Sequence, residues 1–135
     1  MLIARWQRIT HHLLLALDDE LADLRLSAAE TNVLACLAQT PGRPVRELAA
    51  ATAQRPSTLT GVLDRLERRG LVERRTNRAD RRSTVIVLTE PGRAAARRVT
   101  EAFERVAARI PPDAVGELDR GLDALERTLG APAVE

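Results

Sequence analysis

The run from Leu48 to Thr89 restricts this chain more than any other. It reads as the end of a short helix, a turn, a second helix, and two β-rich runs joined by a polar loop. Pro56 suits the first turn of the second helix and Gly70 its end. Within it Leu59, Val62, Leu63 and Leu66 recur at helical spacing, which commits that face to a core. A helix of groove-filling width followed by a basic hairpin matches the geometry of duplex DNA. The helix fits the major groove and the hairpin can reach the next groove.

The opposite face of this second helix presents Ser57, Gly61, Asp64, Arg65 and Arg68, with Thr58 and Thr60 on its flanks and Arg55 just before it. Small hydroxyls can approach base edges and phosphates closely, while Arg65 and Arg68 can reach guanine or the backbone. Gly61 costs roughly 1 kcal/mol against Ala in an exposed helix interior. Close approach to DNA and a neutral surface position both account for it. Asp64 cannot favour a phosphate, so it is expected to pair with Arg68 or with a hairpin Arg. The loop Thr76–Arg82 sets Arg78, Arg81 and Arg82 around Asp80. Asp80 is expected to orient Arg82 by an ion pair, leaving Arg78 and Arg81 for phosphates or for the negative potential of a minor groove. A solvated helix face and a polar loop tip are the plainer alternatives.

Charge is distributed in the same sense. Residues 41–98 hold 14 Arg against six acids, a net +8, whereas the flanks hold seven Arg against 13 acids, a net −6. A basic centre between acidic ends suits a lobe that binds a polyanion. Every one of the 21 basic residues is Arg, and because that can reflect coding bias it carries no mechanism.

At 135 residues the chain fits one domain, with Trp6 and Phe103 its only aromatics, so the core must be Leu, Val, Ile and Ala. Leu2, Ile3, Trp6, Ile9, Leu13, Leu17 and Leu21 mark a first amphipathic helix. Ser27 with Glu30 forms a capping box opening a second helix with Val33, Leu34 and Leu37, ended by Pro41-Gly42. A third helix is expected from about Val45 to Thr52 and strands over Leu71–Arg75 and Thr84–Leu88. Thr89 can cap a fifth helix to about Arg109. Pro111-Pro112 break it, and a sixth follows from about Asp113 to Leu129, with residues 130–135 frayed. The fold class is therefore mostly α with a small β-hairpin. In the last helix Val115, Leu118, Leu122, Leu125 and Leu129 step by 3, 4, 3, 4, the rhythm of a helix–helix seam. An intramolecular bundle would also show it. Two-fold dimerisation is favoured, because one recognition helix alone gives too small an interface for specific binding.

Leu48-Ala49, Ser57-Thr58-Leu59-Thr60, the run Asp64 to Arg74 and the wing frame Asp80-Arg81-Arg82 through Leu88-Thr89 resemble the MarR family of winged-helix transcriptional regulators. The resemblance spans nearly the whole chain. It implies a homodimer with dimerisation helices at 1–25 and 110–130, a winged helix-turn-helix lobe at 27–90 and a connecting helix at 90–109. Leu2, Trp6, Ile9 and Leu13 would join the last-helix set in the dimer contact. It further implies pseudo-palindromic operator DNA, usually repression, and usually release by a small molecule or oxidant. Carried over by position, Ser57, Thr58, Thr60 and Arg65 would be recognition-helix contacts, and Asp80 and Arg82 the wing pair. Thr52 and Gln54 stand where the family usually has apolar residues, Ala53 where a Gly is common, and Val45 is a poor helix cap. These departures bear on the third helix.

Other chemistries find little here. A Gly-rich phosphate loop, a metal-ligand cluster and a nucleophile with a helix-spaced base are all missing from the sequence, so no enzyme, cofactor or metal is expected. Adjacent His11 and His12 point about 100° apart on a helix and cannot share a metal, though with Trp6 they could line an effector pocket. Cys36 sits in an apolar helix stretch and reads as a small core residue, and a chain without Tyr lacks the partners of the family's peroxide sensors. The apolar run Leu13–Leu17 is too short for a signal segment and is followed by Asp18-Asp19-Glu20, so a cytoplasmic protein without membrane contact is expected. Two rivals remain: a winged-helix adaptor or antirepressor that has lost DNA contacts, and a nonspecific DNA or RNA binder.

Overall fold

The computed structural model describes residues 1–130, so the expected fraying beyond Gly130 lies outside the described residues. In chain order it contains α1 (Leu2–Leu21), a 3-10 turn (Ala22–Leu24), α2 (Ala28–Gln39), β1 (Arg43–Pro44), α3 (Val45–Ala51), α4 (Pro56–Arg68), β2 (Val72–Thr76), β3 (Thr84–Leu88), α5 (Glu90–Ala107) and α6 (Pro112–Leu129). The mostly helical fold with a small antiparallel sheet is the one read from the sequence.

Capping chemistry places the helix starts. Ser27 Oγ accepts from the Glu30 backbone N–H at 3.1 Å, the N-cap half of the expected capping box, while its hydroxyl donates to Glu30 Oε1 at 3.1 Å. Thr89 Oγ1 accepts from the Gly92 N–H at 3.1 Å and donates to the Gly70 carbonyl at 2.5 Å, tying the start of α5 to the end of α4. Gly92 is required there, because a Cβ would run into the Leu71 carbonyl.

The core sits under the helix-turn-helix. Leu34, Leu37, Leu48, Leu59, Leu63, Leu66, Ile86 and Val99 are fully buried, the α4 residues being those its spacing marked. Each such side chain contributes roughly 1.5–3 kcal/mol through burial. Leu17 and Leu21 of α1 reach this core. The rest of α1 does not.

One element was not expected. β1 is two residues long, too short to show alternation, and Pro44 lacks an N–H. It nevertheless pairs with β3, Arg43 opposite Ile86, making the hairpin a three-stranded sheet in the order β1-β3-β2. β2 and β3 pair antiparallel from Val72–Leu88 to Thr76–Thr84.

The departures around α3 have structural answers. Val45 opens α3 behind Pro44, without a side-chain cap. Thr52 is buried and returns its hydroxyl to the Leu48 carbonyl at 2.7 Å, so its polarity is satisfied internally. Gln54 reaches across to the Ala29 carbonyl at 3.5 Å. Ala53 occupies the left-handed region, φ +51°, where Gly would be free of strain.

Candidate nucleic-acid interface

α4 carries its exposed face on a rigid base. Leu59, Val62, Leu63 and Leu66 anchor it, and Arg55, Ser57, Thr58, Thr60, Asp64, Arg65 and Arg68 lie on the exposed side with Gly61 half-buried. The Thr60 hydroxyl bonds back to the Pro56 carbonyl at 2.9 Å. Arg68 donates through Nε to the Asp64 carbonyl at 3.3 Å. Arg55 is the residue ahead of the first helical turn. A Cβ added to Gly61 would meet only Arg65 Nη1, at 3.7 Å, so nothing within the fold demands glycine there.

Asp64 finds the hairpin partner expected of it. Arg74 of β2 donates to Asp64 Oδ1 at 2.7 Å and also meets Glu67, locking wing to recognition helix. Arg65 is more committed than its sequence position suggested. Its Nε donates to Glu30 Oε1 at 3.2 Å, and Arg69 Nη1 meets the other oxygen, Glu30 Oε2, at 3.3 Å. Arg69 further donates to the Leu24 and Arg25 carbonyls. Glu30, Arg69 and Arg74 were not singled out from the sequence as parts of this face.

The wing tip corrects one expectation. Asp80 braces the loop without an ion pair to Arg82: its Oδ1 accepts from the Arg82 backbone N–H at 3.0 Å. No carboxylate lies within 4 Å of the Arg78, Arg81 or Arg82 guanidinium among the described residues. A turn closed by a short polar side chain explains the change, since the backbone N–H is nearer to Asp80 than any flexible guanidinium. Asn77 closes the loop from the other side, its amide donating to Ser83 Oγ at 3.0 Å and its carbonyl oxygen accepting from the Ala79 N–H at 3.1 Å. All three tip Arg are exposed. An ordered loop with three cations unclaimed by carboxylates can serve phosphates or a groove.

The residues expected at a dimer contact are left uncovered. Leu2, Trp6, Ile9 and Leu13 on α1 are exposed, as are Val115, Leu118, Leu122 and Leu129 on α6, with Leu125 half-buried. α6 has no buried residue at all. Trp6, Leu122, Leu125 and Leu129 line one cleft of about 1450 Å³ together with Val45 and Ala49 of α3. His11 and His12 do not line it, nor do they line a second cleft of about 700 Å³ between α2, the wing base and α5. No group of three or more His, Cys, Asp or Glu could hold a metal, and no helix is long and apolar enough to cross a membrane, among the described residues. Cys36 is half-buried against the core.

Comparison with known proteins agrees with this geometry. A model of the MarR family matches residues 26–84. The HTH-type transcriptional regulator PecS of Dickeya dadantii is 40% identical over 90 residues, 64% of this chain and 54% of that protein, so the match spans about half of PecS. The HTH-type transcriptional repressor Rv2887 of Mycobacterium tuberculosis is 36% identical over 109 residues, 78% of each chain. A structure of the transcriptional repressor CouR bound to a 23-mer DNA duplex is similar with a TM-score of 0.79 and 27% identity, covering 93% of this chain and 92% of that one.

Proposed function

Because the chain belongs to the MarR family of transcriptional regulators, we propose that it works in the cytoplasm as a homodimer that represses transcription from a pseudo-palindromic operator. α4 enters the major groove, presenting Ser57, Thr58, Thr60, Gly61, Arg65 and Arg68, with Arg55 on the backbone at its start. Arg78, Arg81 and Arg82 of the wing lie along the minor groove, held by Asp80. The observation that carries this reading is the pairing of a braced wing tip, whose three arginines meet no carboxylate among the described residues, with an exposed small-residue helix face. An adaptor that had lost DNA contacts would have no use for such a tip.

Exposed apolar surface supports the dimeric reading. The chain exposes 9805 Å², against about 7000 Å² expected of a folded monomer of this mass. Leu2, Trp6, Ile9 and Leu13 of α1 and Val115, Leu118 and Leu122 of α6 lie exposed on this surface, and a second copy covering them would complete both 1–25 and 110–130 as one dimerisation unit. The cleft beneath Trp6 then sits between this unit and the DNA-binding lobe, and a small effector lodged there would alter the spacing of the two recognition helices.

Sedimentation velocity tests the assembly. The wild type is expected to sediment as a dimer at micromolar concentration and Leu122→Arg as a folded monomer that binds DNA poorly. A wild type that stays monomeric while binding DNA specifically would overturn the dimeric reading.

A further inference from the structure

The Glu30 carboxylate joins the start of α2 to α4. Its backbone N–H donates to Ser27 Oγ, and its side chain, 7% exposed, accepts from the Ser27 hydroxyl at 3.1 Å through Oε1 while lying against α4. There Oε1 accepts from Arg65 Nε at 3.2 Å and Oε2 meets Arg69 Nη1 at 3.3 Å. Arg69 is itself fixed to the Leu24 and Arg25 carbonyls, so the carboxylate is held from two sides. Arg65, by contrast, is 48% exposed, and only its Nε is engaged. Its Nη1 lies beside Gly61, 3.7 Å from where a Cβ would be.

A guanidinium is planar with donors on fixed edges. Tying the Nε edge to an immobile carboxylate fixes the plane and leaves the terminal nitrogens facing outward, the fork that recognises guanine O6 and N7. The absence of a side chain at Gly61 leaves that fork uncovered. We infer that Glu30 is a positioning residue for DNA recognition, presenting Arg65 in the orientation that reads one base pair of the operator. The inference rests on the DNA-binding reading above. Gln at position 30 would keep the volume but leave one acceptor for two guanidinium groups, freeing Arg65 to swing.

The experiment selects bound duplexes from a randomised 30-base-pair pool, then measures the affinity of wild type, Glu30→Gln, Arg65→Lys and the double variant for the selected duplex and its single-base-pair variants. Val99→Ala, a remote core substitution, controls for general loss of stability. Glu30→Gln and Arg65→Lys should lose discrimination at the same base pair, by roughly 5- to 150-fold, the range of one bidentate base contact. The double variant should lose no more than either alone, and Val99→Ala should keep the preference. Weaker binding to every duplex with the base preference intact in Glu30→Gln would overturn the inference, since a purely structural carboxylate would act that way. Arg65→Lys leaves the buried carboxylate in place, so its retaining full discrimination would overturn it too, whatever the stability of Glu30→Gln. A wild type that selects no sequence from the pool would instead overturn the DNA-recognition reading itself.

Discussion

Arg74, on the first wing strand, donates to Asp64 Oδ1 on the recognition helix across 2.7 Å, and its guanidinium also meets Glu67 one turn further along. On the proposed reading α4 faces DNA, where two unpaired acids would repel phosphates. One wing arginine pairs with both and offsets one of their two charges, joining the helix to the wing.

Arg74→Ala should therefore cost more in binding than in folding. Part-exposed ion pairs each contribute at most about 1 kcal/mol to stability. DNA affinity should fall for all sequences as the wing loosens and Asp64 and Glu67 lose the cation that offsets them. Thermal melting and DNA titration on the same sample check this, and an unchanged affinity beside a lowered melting temperature would contradict it.

Asp80 offers a sharper distinction. Its oxygen accepts from the Arg82 backbone N–H, a role an amide oxygen can also fill. Asp80→Asn should retain most of the DNA affinity, whereas Asp80→Ala should lose it without dissociating the dimer. Equal losses in both variants would mean that the charge, and hence an ion pair in the complex, matters after all.

In the proposed complex the tip arginines act through phosphate or groove potential. Arg78→Ala, Arg81→Ala and Arg82→Ala should each reduce the slope of log affinity against log salt by about 1 where the side chain meets a phosphate. A slope unchanged in all three would remove the wing from the interface.

Backbone strain gives two opposite expectations. Ala53 holds φ +51°, so Ala53→Gly should stabilise the fold by roughly 0.5–1 kcal/mol, strain relief exceeding the added freedom of the unfolded chain. Gly92→Ala should destabilise it by at least about 1–3 kcal/mol, because the new methyl meets the Leu71 carbonyl. Urea titration of both variants decides.

The parts of this fold that were legible in the sequence are those written in local spacing. Leu59, Val62, Leu63 and Leu66 gave the buried face of α4, Ser27 with Glu30 gave the start of α2, and Thr89 gave the start of α5. What escaped depends on contacts between distant residues. Glu30 meets Arg65 from 35 positions away, and no periodicity marks such a pair. β1 exists only because β3 passes beside it. The Asp80 expectation went astray between two local choices, guanidinium or backbone N–H, which share the same spacing.

Acid should expose the tie between α5 and the 3-10 turn that follows α1. Two hydrogen bonds from Arg98 hold the Asp23 carboxyl below its ordinary value. A carboxylate lowered in the folded state contributes stability that is present above its unfolded value and lost as pH falls through the folded one. Stability should thus decline below about pH 4, and Arg98→Ala should flatten part of that decline. An identical acid limb in both proteins would show the pair to be inert in solution.

The most direct test of the central claim is fluorescence anisotropy on the DNA just upstream of the chain's own gene, against a scrambled duplex of equal length, across a salt series. The account predicts two chains per site and tighter binding to the upstream duplex at every salt concentration. Equal, steeply salt-dependent binding to both duplexes and to every sequence in a randomised pool would contradict it, leaving a nonspecific binder of nucleic acid.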